Sequence, residues 1–390
     1  MSKGLIDFYS LVQSLPGIYP TDILLSVKRL ALSKKINQNT FRKIGQDSKI
    51  FSSNELLEDV PVSQPHPLDF EWRFTDKTVI NLAKYCLSMS DHGDTIGLLG
   101  VPSLYRLVQH NNLNRKFYLF DKNPVDQDVK VEFSRCIPCD LGDFKINCCS
   151  IAKIVLMDSP WYPEYNRAFL WNATQICEEY GLILMVNPKE GTRPNIKEEW
   201  REILNFSKQI GLGYLGESPE NIVYDAPYFE RNALKAAGIL NFPRDWRQAN
   251  LSVFEKREER STQQPKITET EWHKDSNSGI RIRKTQDNND FHDPRLISIV
   301  PNDILPTVSR RDPRRKQARV WTHGNRIFDC KGTNVLHKIL LAKDFGESTE
   351  LHVESLIERK INKKEKNLIS QAKMQIDALI KLERIEQCIL

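Results

Sequence analysis

Long hydrophobic runs are missing from this sequence. Nowhere in its 390 residues do apolar side chains approach the ~18 in succession that a membrane-spanning helix requires. The amino terminus, Met1-Ser-Lys-Gly-Leu-Ile-Asp7, lacks the apolar core of a signal peptide. A soluble, cytoplasmic protein without a membrane partner is therefore expected. Cysteine is also sparse: eight residues in so long a chain do not make a disulfide scaffold. Four of them crowd together as Cys136-x2-Cys139 and Cys148-Cys149. Zinc sites ordinarily offer two separated pairs, and adjacent cysteines chelate one ion poorly. Cys148 and Cys149 also precede an apolar strand, where cysteine serves as a small buried hydrophobe. Reduced thiols, and no metal, are the expectation. Nor is there a strong excess of one charge. A net +5 is mild for the length, so binding to nucleic acid must be argued from local clusters.

What is present is 40% hydrophobic content, enough for a real core and two or three domains. In residues 1 to about 60, Leu5, Phe8, Tyr9, Val12 and Leu15 have helical spacing and stop at Pro16-Gly17. Pro20-Thr21-Asp22 is an N-cap signature before Ile23, Leu24, Val27, Leu30 and Leu32, and a third short helix can start near Asn39. Short helices carrying Lys28, Arg29, Lys34 and Lys35 have the form of a winged-helix module, which reads DNA or makes protein contacts. The proline-rich join 61–67 is a domain boundary.

Residues 68–245 alternate strand and helix. Strands are predicted at 95–100, 117–121, 151–157, 182–186 and 221–224, and helices at 78–89, 105–110, 165–179 and 198–210. This alternation predicts an α/β fold, a parallel sheet with helices on both faces. Residues 250–319 are polar, with few aliphatics from 256 to 293, and read as a linker or insertion. Within them Arg310, Arg311, Arg314, Arg315, Lys316 and Arg319 are balanced only by Asp312. Such a run is either a solvated face or a contact for the phosphates of DNA or RNA. Residues 320–390 open with a hairpin turning at Gly324-Asn325. They end in a long helix whose Leu356, Ile357, Ile361, Leu368, Ile369, Ala372, Ile376, Leu379 and Ile380 form a stripe. That stripe either docks on the chain itself or pairs with a partner helix, as in a homodimer.

The segment richest in chemistry is Asp158-Ser159-Pro160-Trp161, which closes the run Ile154-Val-Leu-Met157 and continues into Tyr162-Pro163-Glu164. Apolar residues stopping at an acid describe a buried strand that delivers polar groups to the carboxyl edge of a sheet. There a carboxylate and a backbone carbonyl can hold an exocyclic amine while an aromatic ring stacks on a flat or cationic substrate. Proline stiffens the turn. The plainer alternative is a strand followed by an ordinary proline turn. Two strand ends precede it, Gly97-Leu-Leu-Gly100 and Asp121.

This turn resembles the Asp-Pro-Pro-Trp/Tyr motif of S-adenosylmethionine-dependent amino-methyltransferases. The order of glycine turn, acid roughly twenty residues later, and catalytic turn is similar to the class I methyltransferase arrangement. The resemblance implies a Rossmann-like methyltransferase sheet with S-adenosyl-L-methionine as cofactor. It would place Gly97 and Gly100 on the methionine side, Asp121 at the ribose and Asp140 near the adenine. Asp158, Pro160, Trp161 and Tyr162 would form the acceptor site. The glycine turn, Gly100-Val-Pro-Ser-Leu104, departs from the usual pattern, since Pro102 removes an amide donor.

Residues 1 to about 240 also resemble the branched-chain polyamine synthases, which carry a winged helix before a methyltransferase-like sheet. The segments 69–75 and 158–164 stand where that family has its leading Asp-x4-Thr-type segment and its Asp-Pro-Pro-Tyr-like turn, with Ser159 replacing the first proline. That resemblance implies an aminopropyltransferase using decarboxylated S-adenosylmethionine on a polyamine. A third reading keeps the sheet as a non-catalytic scaffold for nucleic-acid or protein binding.

Overall fold

Five apolar segments pair in parallel at the centre of the protein's larger unit. β2 (Thr95–Leu99) lies between β3 (Lys116–Asp121) and β5 (Ala152–Met157); β4 (Ser134–Pro138) flanks β3, and β6 (Cys177–Pro188) flanks β5. The structure, a computed structural model, describes residues 7–36, 41, 44, 65–109, 113–123, 134–142, 151–267, 270–274, 278–285 and 290–389. Leu98 stands opposite Leu119 on one side and Leu156 on the other, and all three are fully buried. Strands covered on both faces have no polar side to alternate with, hence the unbroken apolar runs. Ile96 and Leu98 cluster with Val79 and Leu82 of α3 (Asp76–Ser88) and Leu104 of α4 (Pro102–Gln109). Gly97 points the other way, towards Ile176 at the end of α5 (Pro163–Ile176).

Past β6 the direction changes. β9 (Gln248–Lys256) runs antiparallel to β6, and β7 (Leu212–Glu217) and β8 (Ile222–Asp225) both pair antiparallel with β9. β8 also carries the short β1 (Arg73–Phe74). The order β4-β3-β2-β5-β6-β9, continued by β8 and β1 and with β7 also paired to β9, is that of a Rossmann-like methyltransferase sheet. From β2 the chain winds outward to β4, then returns to build on the other side from β5. The switch lies between β2 and β5, and a ligand crevice is expected at the carboxyl ends of those strands. Buried Lys256 donates to the carbonyls of Thr174 and Cys177, which satisfies the end of α5.

α1 (Phe8–Ser14) is capped by Asp7, whose side chain accepts from the Ser10 N–H at 2.7 Å. α2 (Pro20–Leu32) starts on its proline and buries Ile23 and Val27. These helices belong to the same compact unit as the sheet, which comprises Met1–Val62, Trp72–Ala226 and Asn241–Thr268. The Gly17 N–H donates to the Trp246 carbonyl, and the Tyr19 ring lies 5.3 Å from that of Trp246. The helix expected near Asn39 and the proline join at 61–64 lie outside the described residues.

The second unit comprises Ser63–Glu71, Pro227–Leu240 and Glu269–Leu390. It corrects the expectation of a linker over 250–319. That span supplies most of β9, then β10 (Trp272–Lys274), β11 (Ile280–Arg283) and β12 (Ile297–Ser298). With β13 (Val320–Thr322) and β14 (Ile327–Asp329) they form a sheet ordered β10-β11-β13-β14-β12, antiparallel throughout. In β11, Ile280 and Ile282 are buried while Arg281 and Arg283 alternate with them, so half of a strand looks like linker by composition. The unit also holds α6 (Tyr228–Ala236), α7 (Thr333–Phe345), α8 (Thr349–Ile357) and α9 (Lys363–Ile389). The long helix expected from residue 351 is thus two, parted where Glu358 takes a φ of 54°. Ile369, Ala372, Ile376, Leu379 and Ile380 pack with Ile280, Ile282, Val320 and Ile339. The apolar stripe is thus used within its own unit. No described helix is long and apolar enough to cross a membrane.

Candidate acceptor and cofactor site

Backbone hydrogen bonds tie the carboxyl ends of the parallel strands together. The Asp158 N–H donates to the Leu99 carbonyl at 3.0 Å, the Gly100 N–H to Phe120 at 2.9 Å, and the Cys139 N–H to Asp121 at 2.8 Å. Gly100 has a φ of +67°, and a Cβ there would stand 2.8 Å from the Asp158 carbonyl oxygen and 3.1 Å from the Phe169 ring. Only glycine allows this approach, which presses the glycine turn against the acid-bearing turn. Gly97 does not share that role. It sits in mid-strand, where a Cβ would meet Ile176 at 2.7 Å, so its smallness serves helix packing. Pro102 starts α4, where its missing N–H is one that a first helical turn leaves unpaired.

Asp121 ends β3, and its Oδ1 accepts from the Asn123 N–H at 2.8 Å. Asp140, just beyond β4, accepts from the Gly142 N–H at 3.1 Å and pairs with Lys122 at 2.8 Å. Burial pushes the neighbouring Cys139 thiol up to about 12, with Asp121 and Asp140 adding to the rise. Cys148 and Cys149 lie outside the described residues.

Asp158 retains some exposed surface as a residue, but protein atoms surround its carboxyl group. Burial pushes that carboxyl up to about 7, against the hydrogen bond from Tyr224 and the charge of Arg247. The Tyr224 hydroxyl donates to Oδ1 at 2.7 Å, and burial with the Asp158 charge holds its own pKa well above the usual phenol value. Ser159 ties the turn to α5, its buried hydroxyl donating to Asn166 Oδ1. The Tyr162 N–H closes the turn onto the Pro160 carbonyl at 2.6 Å. Tyr162 itself neighbours Tyr165 and Arg193, with centroid distances of 6.3 and 5.9 Å.

Trp161 is buried, and its ring face is taken. The Arg247 guanidinium carbon lies 3.8 Å from the Trp161 ring centroid, 4.1 Å from that of Trp72 and 5.3 Å from that of Tyr224. Both indoles meet Tyr224 edge-on, at interplanar angles of 77° and 86°. Trp72, Tyr224 and Arg247 were not among the residues singled out in the sequence. A signal was available for Tyr224, which shares the buried side of β8 with Ile222.

The cations at 310–319 are partly knit into the second unit. Arg314 is held by Asp312 at 2.6 Å, Arg319 by Asp329 at 3.2 Å, and Arg315 lies 4.3 Å over Trp321. Arg310 and Arg311 precede the 3-10 turn Pro313–Lys316, and the Lys316 carbonyl accepts from Arg283.

No family model and no curated protein matches the sequence. Among solved structures the chain is similar to the branched-chain polyamine synthase from Thermus thermophilus in complex with N4-aminopropylspermidine and 5'-methylthioadenosine. That match has 14% identity over 53% of this chain and 64% of the synthase, with a TM-score of 0.43. It spans less than two thirds of the synthase's length. The chain is also similar to a TehB-like SAM-dependent methyltransferase from Corynebacterium glutamicum, at 14% identity over 46% of this chain and 87% of that one, with a TM-score of 0.31. The fold is class I methyltransferase-like, and the strand order described above is what establishes it.

Proposed function

We propose that the protein is an S-adenosylmethionine-dependent transferase acting on an amine. One observation carries this reading: the Gly100 turn and Asp158 lie against each other at the switch between β2 and β5, where such a sheet binds its ligands. The strand ends fit the cofactor. Asp121 ends β3 with its carboxylate oriented by a backbone N–H, suited to accept ribose hydroxyls, and Gly100 leaves room beside it. Asp140 stands beyond β4, on the adenine side of that arrangement. When bound, S-adenosylmethionine supplies a methyl group on an electrophilic sulfonium. Asp158 accepts an N–H of the acceptor amine and aims its lone pair, so the chain contributes alignment. A carboxyl that titrates near 7 is also matched to taking the proton that the alkylated nitrogen gives up, onto Oδ. The Tyr224 hydroxyl fixes the carboxyl for both tasks.

A second reading, a binding module without turnover, draws on the Arg247 guanidinium over Trp161. The discriminating assay offers S-adenosylmethionine or its decarboxylated form with either spermidine or single-stranded DNA. The transferase reading expects a methylated amine product. An aminopropylated polyamine formed only from the decarboxylated cofactor would assign polyamine synthase chemistry instead. No product in any of the four mixtures, with cofactor bound, would leave the binding module.

A further inference from the structure

The aromatic residue of the turn has a cation on its face, supplied by the chain. Three rings surround the Arg247 guanidinium: Trp161, Trp72 and Tyr224. A ring face attracts a cation through its quadrupole, and more strongly once water is excluded, so this enclosure selects a positive charge. A carboxyl of opposite charge acts with the rings, because the Arg247 charge favours the ionised form of Asp158. Arg247 is 8% exposed, and its Nε has no hydrogen-bond partner among the described residues. A buried guanidinium held by ring faces and a long-range charge, with a donor unsatisfied, is incompletely matched to its place. The backbone beneath it is fixed, since the Arg247 carbonyl accepts from the Tyr224 N–H at 3.0 Å. The side chain can therefore leave while the strand stays.

We propose that Arg247 is a built-in plug in a cation subsite, and that the site's external ligand is a cationic amine or guanidine that replaces its guanidinium between the aromatic rings and Asp158. The proposal rests on the transferase reading for the meaning of the site, and it narrows the acceptor. A neutral nucleobase forfeits the attraction that the rings offer to charge. A protonated ligand keeps it, and adds the hydrogen bond to Asp158 that Arg247 Nε does not make. The acceptor nitrogen itself must lose its proton before it can react, so a second cationic group on the same ligand is the one the rings hold.

The test is calorimetric titration of methylguanidinium and its neutral isostere methylurea into wild type, Arg247→Ala and Arg247→Lys. Wild type should bind methylguanidinium weakly. Arg247→Ala should bind it saturably, and about ten-fold more tightly than methylurea. Arg247→Lys, a fold-conserving change with a poorer stacking cation, should bind the probe measurably more tightly than wild type. Equal affinity of the alanine variant for the two probes, or binding of neither, would overturn the proposal. If the alanine variant does not fold, a lysine variant indistinguishable from wild type overturns it alone. S-Adenosylmethionine is titrated into the same three proteins. Cofactor binding without a methylguanidinium preference removes the plug and leaves the transferase. The converse removes the cofactor and leaves the cage.

Discussion

Replacing Asp69 by alanine should cost the second unit about 3–5 kcal/mol, the usual result of removing one member of a buried ion pair. Its side chain is 4% exposed, and Arg281, at 11%, grips both carboxylate oxygens. Burial alone would raise the Asp69 carboxyl. The hydrogen bonds and charge of Arg281 outweigh it and hold the group well below the usual carboxylate range. A depressed folded-state pKa means that the pair's stabilisation is complete above pH ~4, the ordinary value of an unfolded aspartate, and is lost as the pH falls further. Beside it, His66 accepts from the Leu68 N–H at Nδ1 and faces the Trp321 carbonyl with Nε2; that is the pattern of a neutral ring, and burial lowers its pKa well below the usual value. Denaturant unfolding at neutral pH should show a lower midpoint for Asp69→Ala, and Asp69→Ala with Arg281→Met should recover part of the loss. An unchanged midpoint would mean the pair is not formed in solution. Asp69 is the first residue of the segment that resembles the polyamine synthases, yet its partner is Arg281 of the second unit's sheet.

Asp158→Asn should lower transfer by about 10²–10⁴-fold, the range for removing a positioned acid–base group. Asparagine keeps the shape and can still meet the Tyr224 hydroxyl, so the loss belongs to charge and proton affinity rather than to packing. The wild-type rate should rise as the pH passes through about 7, where the carboxyl ionises, and this limb should vanish in the variant. Stability should move the opposite way. The folded-state pKa is raised above the unfolded ~4. Folding therefore binds the proton more tightly, and the benefit, complete below that value, is lost as the pH climbs through about 7. Thermal melting of wild type from pH 5 to 8 should show this decline, and Asp158→Asn should flatten it. A pH-independent rate in wild type would assign the proton transfer elsewhere.

How far the sequence carries depends on the range of the contacts. The ends of β2, β3 and β5 were legible because a buried parallel strand writes itself as a short apolar run, and the residue that follows marks the edge. Asp121 and Asp158 were found that way. Gly97 is harder to read, since smallness has two uses, and one sequence does not distinguish a strand lying under Ile176 from one facing a ligand. Tyr224 and Arg247 reach the turn from 66 and 86 residues further on, and no local pattern signals such pairings. In the second unit, β10 to β12 are two to four residues long and β10 and β11 carry lysine and arginine, so their composition resembles a linker until Ile280 and Ile282 are seen to share a core. The break at Glu358, a positive φ on a residue other than glycine, has no sequence signature.

The central claim is that the carboxyl edge of β2 and β3 binds S-adenosylmethionine, and calorimetric titration with that cofactor tests it most directly. Wild type should show saturable binding with one site per chain. Asp121→Asn, which replaces a charged acceptor of the ribose hydroxyls by a neutral one, should weaken it by roughly ten-fold or more. Asp158→Asn should leave the affinity nearly intact. No saturable heat at millimolar ligand, or an Asp121→Asn variant that binds like wild type, would contradict the account.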